Sequence, residues 1–182
     1  MKRTALVLLS LALTVLGASA QSVYSATAGR NSLSVGVLAS AFQPDYAGYG
    51  IAETSPNRLY GMGAFVDFKI NRWIQLEGEG HWLNYNEYNN INENSYLIGP
   101  RLPIRRFGRA TPYVKAMIGM SSGSFLNGRS STYAFGGGID YRLSKHITWR
   151  AADFEYQEWK VTNTSGNLFP YGISSGISYR IF

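Results

Sequence analysis

From Tyr60 to Ile70 the residues sort by parity. Tyr60, Met62, Ala64, Val66, Phe68 and Ile70 fall on one side, and Gly61, Gly63, Phe65, Asp67 and Lys69 on the other. A period of two held over this length predicts a β-strand with two unlike faces. The pattern breaks at Asn71-Arg72 and resumes at once, with Ile74, Leu76, Gly78, Gly80 and Trp82 set against Gln75, Glu77, Glu79, His81 and Leu83. The two stretches therefore predict a hairpin. Six further segments repeat the pattern: Leu33–Phe42, Ser95–Ile104, Thr111–Ser121, Thr132–Leu143, Ile147–Gln157 and Phe169–Phe182. In the seventh strand Arg150 shares the apolar parity if Asp153 and Glu155 face the other way, which predicts a bulge or an interfacial position there. Pro100 and Pro103 each remove a ladder donor from the fourth.

The eight segments are joined by residues 43–58, 71–72, 85–94, 105–110, 122–131, 144–146 and 158–168, long and short in strict alternation. That order predicts an antiparallel up-and-down meander with its long loops at one end and its tight turns at the other. An even number of strands brings both termini to the tight-turn end. The expected fold is all-β, an eight-stranded barrel over residues 33–182.

Composition narrows the class. Trp 4, Tyr 13 and Phe 9 together nearly equal Lys+Arg 17 and Asp+Glu 11, and Gly 20 and Tyr 13 favour strands over helices. Cys 0 excludes disulfides, thiolate metal sites, cysteine nucleophiles and a lipid anchor on an N-terminal cysteine. Lys2 and Arg3, the apolar run Ala5–Leu16 and the close Ala18-Ser19-Ala20 have the three parts of a secretory signal peptide. The run is shorter than the roughly 20 residues that cross a bilayer as a helix. Cleavage after Ala20 would lower the formal charge from +6 by the two basic residues Lys2 and Arg3, and leave residues 21–32 as a flexible leader. No later apolar run is long enough for a spanning helix, so a membrane location would have to use strands.

A soluble ligand carrier with eight strands also alternates. The distribution of charge separates the two cases. Here the charged parity is also rich in Gly, Ser and Ala, which suits a narrow filled interior, whereas the opposite parity is almost free of charge. Aromatics gather toward strand ends at Trp73, Trp82, Tyr60, Tyr96, Tyr113, Tyr133, Tyr141, Trp149, Tyr171 and Tyr179. Amphipathic rings at two levels are the interfacial girdles of membrane barrels. The expectation is a transmembrane barrel surrounded by lipid.

Signal peptide, eight alternating strands and an aromatic last strand resemble the small bacterial outer-membrane β-barrel family, the OmpA/OmpX-like and opacity-type barrels. The resemblance covers essentially the whole chain after the signal. Its sharpest part is Ser174-x-Gly176-x-x-Tyr179-x-Ile181 followed by Phe182. This is similar to the C-terminal signal of the family, with Phe182 one residue beyond the usual register. The resemblance implies location in the outer membrane and recognition by the barrel-assembly machinery.

The inward parity holds six acids, Asp67, Glu77, Glu79, Asp140, Asp153 and Glu155, and five bases, Lys69, Arg101, Lys115, Arg142 and Arg180. Eight strands leave a lumen that side chains can fill. Opposite charges in that space should pair, because an unpaired buried ion costs several kcal/mol. Glu77, Glu79, Arg101, Lys115, Asp140 and Arg142 are expected to form the paired cluster that closes it. An ion path would be better served by a surplus of one sign.

Other chemistry has little support. His146 sits in the Ser-Lys-His turn at the end away from the outer leaflet, and no short motif supplies His81 with a nucleophile. His81, Glu79 and Glu77 share a face, an arrangement better suited to ion pairing than to metal ligation. No cofactor motif occurs. Arg105, Arg106 and Arg109 crowd one turn; on a periplasmic rim they would meet anionic headgroups rather than nucleic acid. The leading expectation is a non-enzymatic surface barrel acting in envelope integrity or adhesion. A small pore is the rival, and an interfacial lipid-modifying enzyme comes third. A ligand would meet the polar loops 43–58, 85–94 and 158–168, where Tyr and Asn suit contact. A chain truncated before Phe169 should be absent from the outer membrane when membrane fractions are immunoblotted. Normal levels would rule out the last strand as the assembly signal.

Overall fold

The computed structural model describes residues 31–45, 58–85, 92–124, 126, 128–161 and 167–182. The expected signal peptide, most of the leader, most of the loops 43–58 and 85–94 and residues 162–166 of the loop 158–168 lie outside the described residues. Eight strands follow in order: β1 (Ser32–Gln43), β2 (Leu59–Lys69), β3 (Gln75–Tyr85), β4 (Glu93–Pro103), β5 (Ala110–Gly123), β6 (Ser130–Arg142), β7 (Ile147–Lys160) and β8 (Tyr171–Arg180). Each pairs antiparallel with its neighbour in sequence, and β8 pairs with β1 to close the barrel.

The parity of each strand sets its two faces. Val35, Val37, Met62, Val66, Ile98, Ile118, Phe135 and Ile173 are exposed on the outside. No Asp, Glu, Lys or Arg shares their parity below Glu158 and Lys160, which stand at the long-loop end of β7. Such a surface is unfavourable in water and favourable in lipid. Tyr60, Trp82, Tyr96, Tyr133 and Tyr171 are exposed toward the long-loop end, and Trp73, Tyr141, Trp149 and Tyr179 toward the tight-turn end. Their polar tips find partners at both levels: Trp82 Nε1 donates to the Tyr96 hydroxyl at 3.0 Å, and Trp149 Nε1 to Ser175 Oγ at 3.2 Å. Tyr113 departs from the girdle expected of it. It lies on the inward parity of β5, is buried and belongs to the lumen.

Arg150 lies at a bulge. Arg150 pairs with Gly176 and Asp153 with Ser174, so three steps on β7 oppose two on β8. Opposite β6 the register likewise passes from Ala152 to Arg150, skipping Ala151. The extra residue lets Arg150 and Asp153 both face inward; an unbroken alternation would have aimed the guanidinium at lipid. In β4, Pro100 faces outward, and its register with β5 steps from Ile98↔Ile118 to Arg101↔Lys115 with no partner in between.

Deleting Ala151 would regularise β7 while keeping Arg150 inward. This variant should fold in detergent with an unfolding midpoint close to wild type by tryptophan fluorescence. The same deletion at Ala116, in the regular strand β5, should prevent folding because every side chain beyond it changes face. Equal failure of the two deletions would show that the bulge is not a removable insertion.

Candidate functional site: the charged lumen

Three cations stand at the centre of the lumen, each from a different strand. Lys115 Nζ on β5 lies 2.8 Å from Glu79 Oε2, 2.8 Å from Asp153 Oδ2, 2.9 Å from Glu155 Oε2 and 3.5 Å from Glu77 Oε1. Arg150 on β7 reaches Glu77 at 2.6 Å, Asp67 at 3.2 Å, Asp153 at 3.3 Å, Asp140 at 3.6 Å and Glu79 at 3.7 Å. Arg101 on β4 binds Asp140 at 2.5 Å and approaches Glu77 at 3.4 Å and Asp67 at 3.6 Å. Its Nη1 also donates to Gln75 Oε1 at 2.7 Å. Glu77, with no exposed side-chain area, is shared by all three cations. The network thus ties β2, β3, β4, β5, β6 and β7 together across the barrel rather than along its wall.

Aromatic rings frame the two guanidiniums. Arg150 stacks 3.7 Å from the Phe65 ring centroid, and Arg101 3.6 Å from that of Tyr113. Room for these rings comes from glycine on the adjacent strand. Gly36 is the register partner of Phe65, and a Cβ there would lie 2.4 Å from the ring. Gly138 is the partner of Tyr113, whose hydroxyl would lie 2.7 Å from an added Cβ. Cation–π contact gains strength where water is excluded.

Above the ions, toward the long-loop end, lies a hydrogen-bonded polar layer. Trp159 Nε1 donates to Gln157 Oε1 at 2.6 Å, and Gln157 Nε2 donates to Glu155 Oε1 at 2.5 Å. His81 Nε2 lies 2.5 Å from Glu79 Oε1, its Nδ1 3.0 Å from Ser40 Oγ, and Ser40 accepts from Ser174 Oγ at 2.8 Å. Phe42, Leu59 and Leu83 form an apolar cluster at this level, with the Phe42 ring 5.3 Å from His81. Leu97, Met117 and Ala134 form a second one against the opposite wall.

The barrel therefore brings a serine to His81 across 41 positions of sequence, where no local motif showed one. The order Ser40–His81–Glu79 has the connectivity of a hydrolytic triad, but all three residues are buried. A nucleophile needs access to an acyl group as well as a base. Ligand atoms of Glu79, His81 and Glu155 also lie within 4.8 Å of one another. The Lys115 ammonium already sits between the two carboxylates, where a metal ion would have to bind.

All six inward acids expected from the sequence lie in this network, with Arg101 and Lys115. The remaining three bases do not. Arg142, expected in the central cluster, is exposed at the tight-turn end of β6; Lys69 and Arg180 lie at the same level, and none of the three makes an ion pair among the described residues. Each stands a strand end below the carboxylates, so the side chain extends into the mouth. Arg150 takes the place that Arg142 was expected to hold. The bulge signal was legible, but its consequence depended on which way the extra residue turned the strand.

The described residues 32–180 form a closed barrel with a lipid-compatible exterior and a filled, charged lumen. The sequence matches a family model, the outer membrane protein beta-barrel domain, over residues 8–180. The chain belongs to that family. It is a transmembrane barrel of the bacterial outer membrane. Among solved structures it is similar to Neisserial surface protein A, with 11% identity over 82% of this chain and 96% of that one, TM-score 0.61. It is also similar to the outer membrane protein AlkL in lipid bilayers, with 12% identity over 88% and 95% of the two chains, TM-score 0.55. At these identities the likeness is one of fold. No curated protein matches the sequence.

Replacing Lys115 by Met would leave four carboxylates facing one another without their shared cation. The barrel should lose about 3–5 kcal/mol in urea unfolding. Adding Asp153→Asn should restore part of that loss. A variant lacking only packing contacts would show no such recovery, so an unrescued double variant would count against the charge balance.

Proposed function

We propose that this member of the family is a non-enzymatic surface barrel with a closed lumen, which acts through its extracellular loops in adhesion or envelope integrity. The observation carrying this reading is the network around Lys115, Arg150 and Arg101. These buried side chains bridge opposite walls, and aromatic and aliphatic layers lie above them. A conducting path would have to break several ion pairs at once, most of them between buried side chains. With the lumen filled and the outside facing lipid, the long loops are the part left to meet a partner outside the cell. Their sequences favour contact: residues 85–94 read Tyr-Asn-Glu-Tyr-Asn-Asn-Ile-Asn-Glu-Asn, adaptable amides beside rigid phenols.

The transport reading rests on the same charges, six acids to three bases, and is weakened because every one of these carboxylates has a cation partner. The lipid-modifying reading has Ser40, His81 and Glu79, but these face the sealed lumen rather than the lipid interface where an acyl chain would arrive. Planar-bilayer recording should show no steady unitary conductance for the intact barrel. Binding to host-cell or matrix surfaces, scored by flow cytometry, should fall when residues 86–91 and 162–166 are replaced by short Gly-Ser turns. Steady conductance would overturn the closed lumen, and binding that survives both loop replacements would overturn the role of the loops.

A further inference from the structure

Below the ion network the lumen opens at the tight-turn end, which in such barrels faces the periplasm. The opening is a funnel of about 270 Å³. Its wall carries Lys69, Arg72, Arg106, Arg109, Arg142 and Arg180, drawn from strand ends and two separate turns. Its one carboxylate, Asp140, is already held by Arg101 at 2.5 Å and Arg150 at 3.6 Å. Among the described residues none of the six wall cations makes an ion pair. Arg106 has one fixed contact, donating from Nε to the Gly108 carbonyl at 2.8 Å, and Arg72 lies over the Trp73 ring at 4.9 Å. Their remaining donors are free to serve the funnel.

A cation excess on an open surface is diluted by solvent. In a concave site with low-dielectric walls the field is focused instead, and the local concentration of anions rises. The central network, six acids to three bases, offsets part of this excess at a distance, but its carboxylates face Lys115, Arg150 and Arg101 and pair with none of the wall cations. Six cations without a direct ion pair suit a multiply charged ligand, and five of them are guanidiniums, whose planar forks match phosphoryl oxygens.

We propose that the periplasmic funnel is a binding site for a phosphoryl anion, supplied by a free polyphosphorylated solute or by a lipid headgroup of the inner leaflet. The site is independent of the extracellular loops. Arg142 and Arg180 hold its floor from the strand ends, while Arg106, Arg109 and Arg72 close around the ligand from the turns. Asp140 and its arginine partners set the depth beyond which an anion cannot pass.

The test uses the signal-cleaved barrel in nanodiscs, with arginine side-chain NMR shifts and calorimetry as readouts. In phosphatidylcholine discs, pyrophosphate is titrated; in a second arm, phosphatidylglycerol replaces part of the lipid and no solute is added. Shifts confined to Arg72, Arg106, Arg109, Arg142 and Arg180 are expected in at least one arm, and the arm identifies the source. For that ligand, Arg142→Ala with Arg180→Ala should weaken binding by about tenfold or more, the scale of lost charge-assisted hydrogen bonds. Both residues are exposed, so the variant should still fold. Arg105→Ala, in the same turn but outside the funnel, should leave binding unchanged. No localised shift in either arm, or an equal loss with Arg105→Ala, would overturn the site.

Discussion

The barrel depends on the pairing of ions inside a lumen too narrow to hydrate them. Once eight strands close, whatever the inward parity delivers must find a partner across a few ångströms or remain stranded at a cost of several kcal/mol. The three central cations meet this condition together. Lys115 gathers carboxylates from β3 and β7, Arg150 reaches across to β2 and β3, and Arg101 completes the set through Asp140 on β6. A hydrogen-bond ladder holds only neighbouring strands. The ion network holds strands that do not touch.

The remaining irregularities follow from that network. The bulge at Ala151 brings Arg150 inside, where five carboxylates lie within reach. Gly36 and Gly138 make room for the rings of Phe65 and Tyr113, which cover the faces of the two guanidiniums. Without those rings the planar faces of two buried guanidiniums would lose their cover. Each feature weakens its own strand slightly, since bulges and glycines both reduce regular pairing. Each is explained by the charge it accommodates.

Charge is also graded along the axis. Six acids against three strong bases leave the middle of the lumen with an excess of carboxylate, while the periplasmic mouth carries an excess of cation. The outside is graded by polarity instead, with aliphatic residues between two aromatic levels. A barrel built this way has three distinct surfaces: a lipid belt, a basic mouth, and loops whose sequences are polar and aromatic. The filled middle separates the mouth from the loops, so the two ends can carry unrelated tasks.

Sequence alone determined the strand count, the two faces of each strand, the alternation of turns and loops and the membrane-facing exterior. It could do so because a period of two is a local property, readable within one strand. The identity of the inward acids was legible for the same reason. Partner choice was not. It depends on how far each strand slides against the next and on the tilt that closes the barrel, and these are properties of all eight strands together. Hence Arg142 reads like a member of the central cluster yet lies at the mouth, one strand end too low to reach a carboxylate. Tyr113 reads as a girdle aromatic because strand-end position is visible, yet its parity takes it inside to cover Arg101. Ser40 and His81 meet only because the curvature of the closed barrel brings the inward faces of β1 and β3 together over β2. Arg150 marks the boundary between the two kinds of information: its parity conflict was visible in the sequence, but only closure of the barrel, with carboxylates waiting inside and lipid outside, decided which way the bulge would turn it.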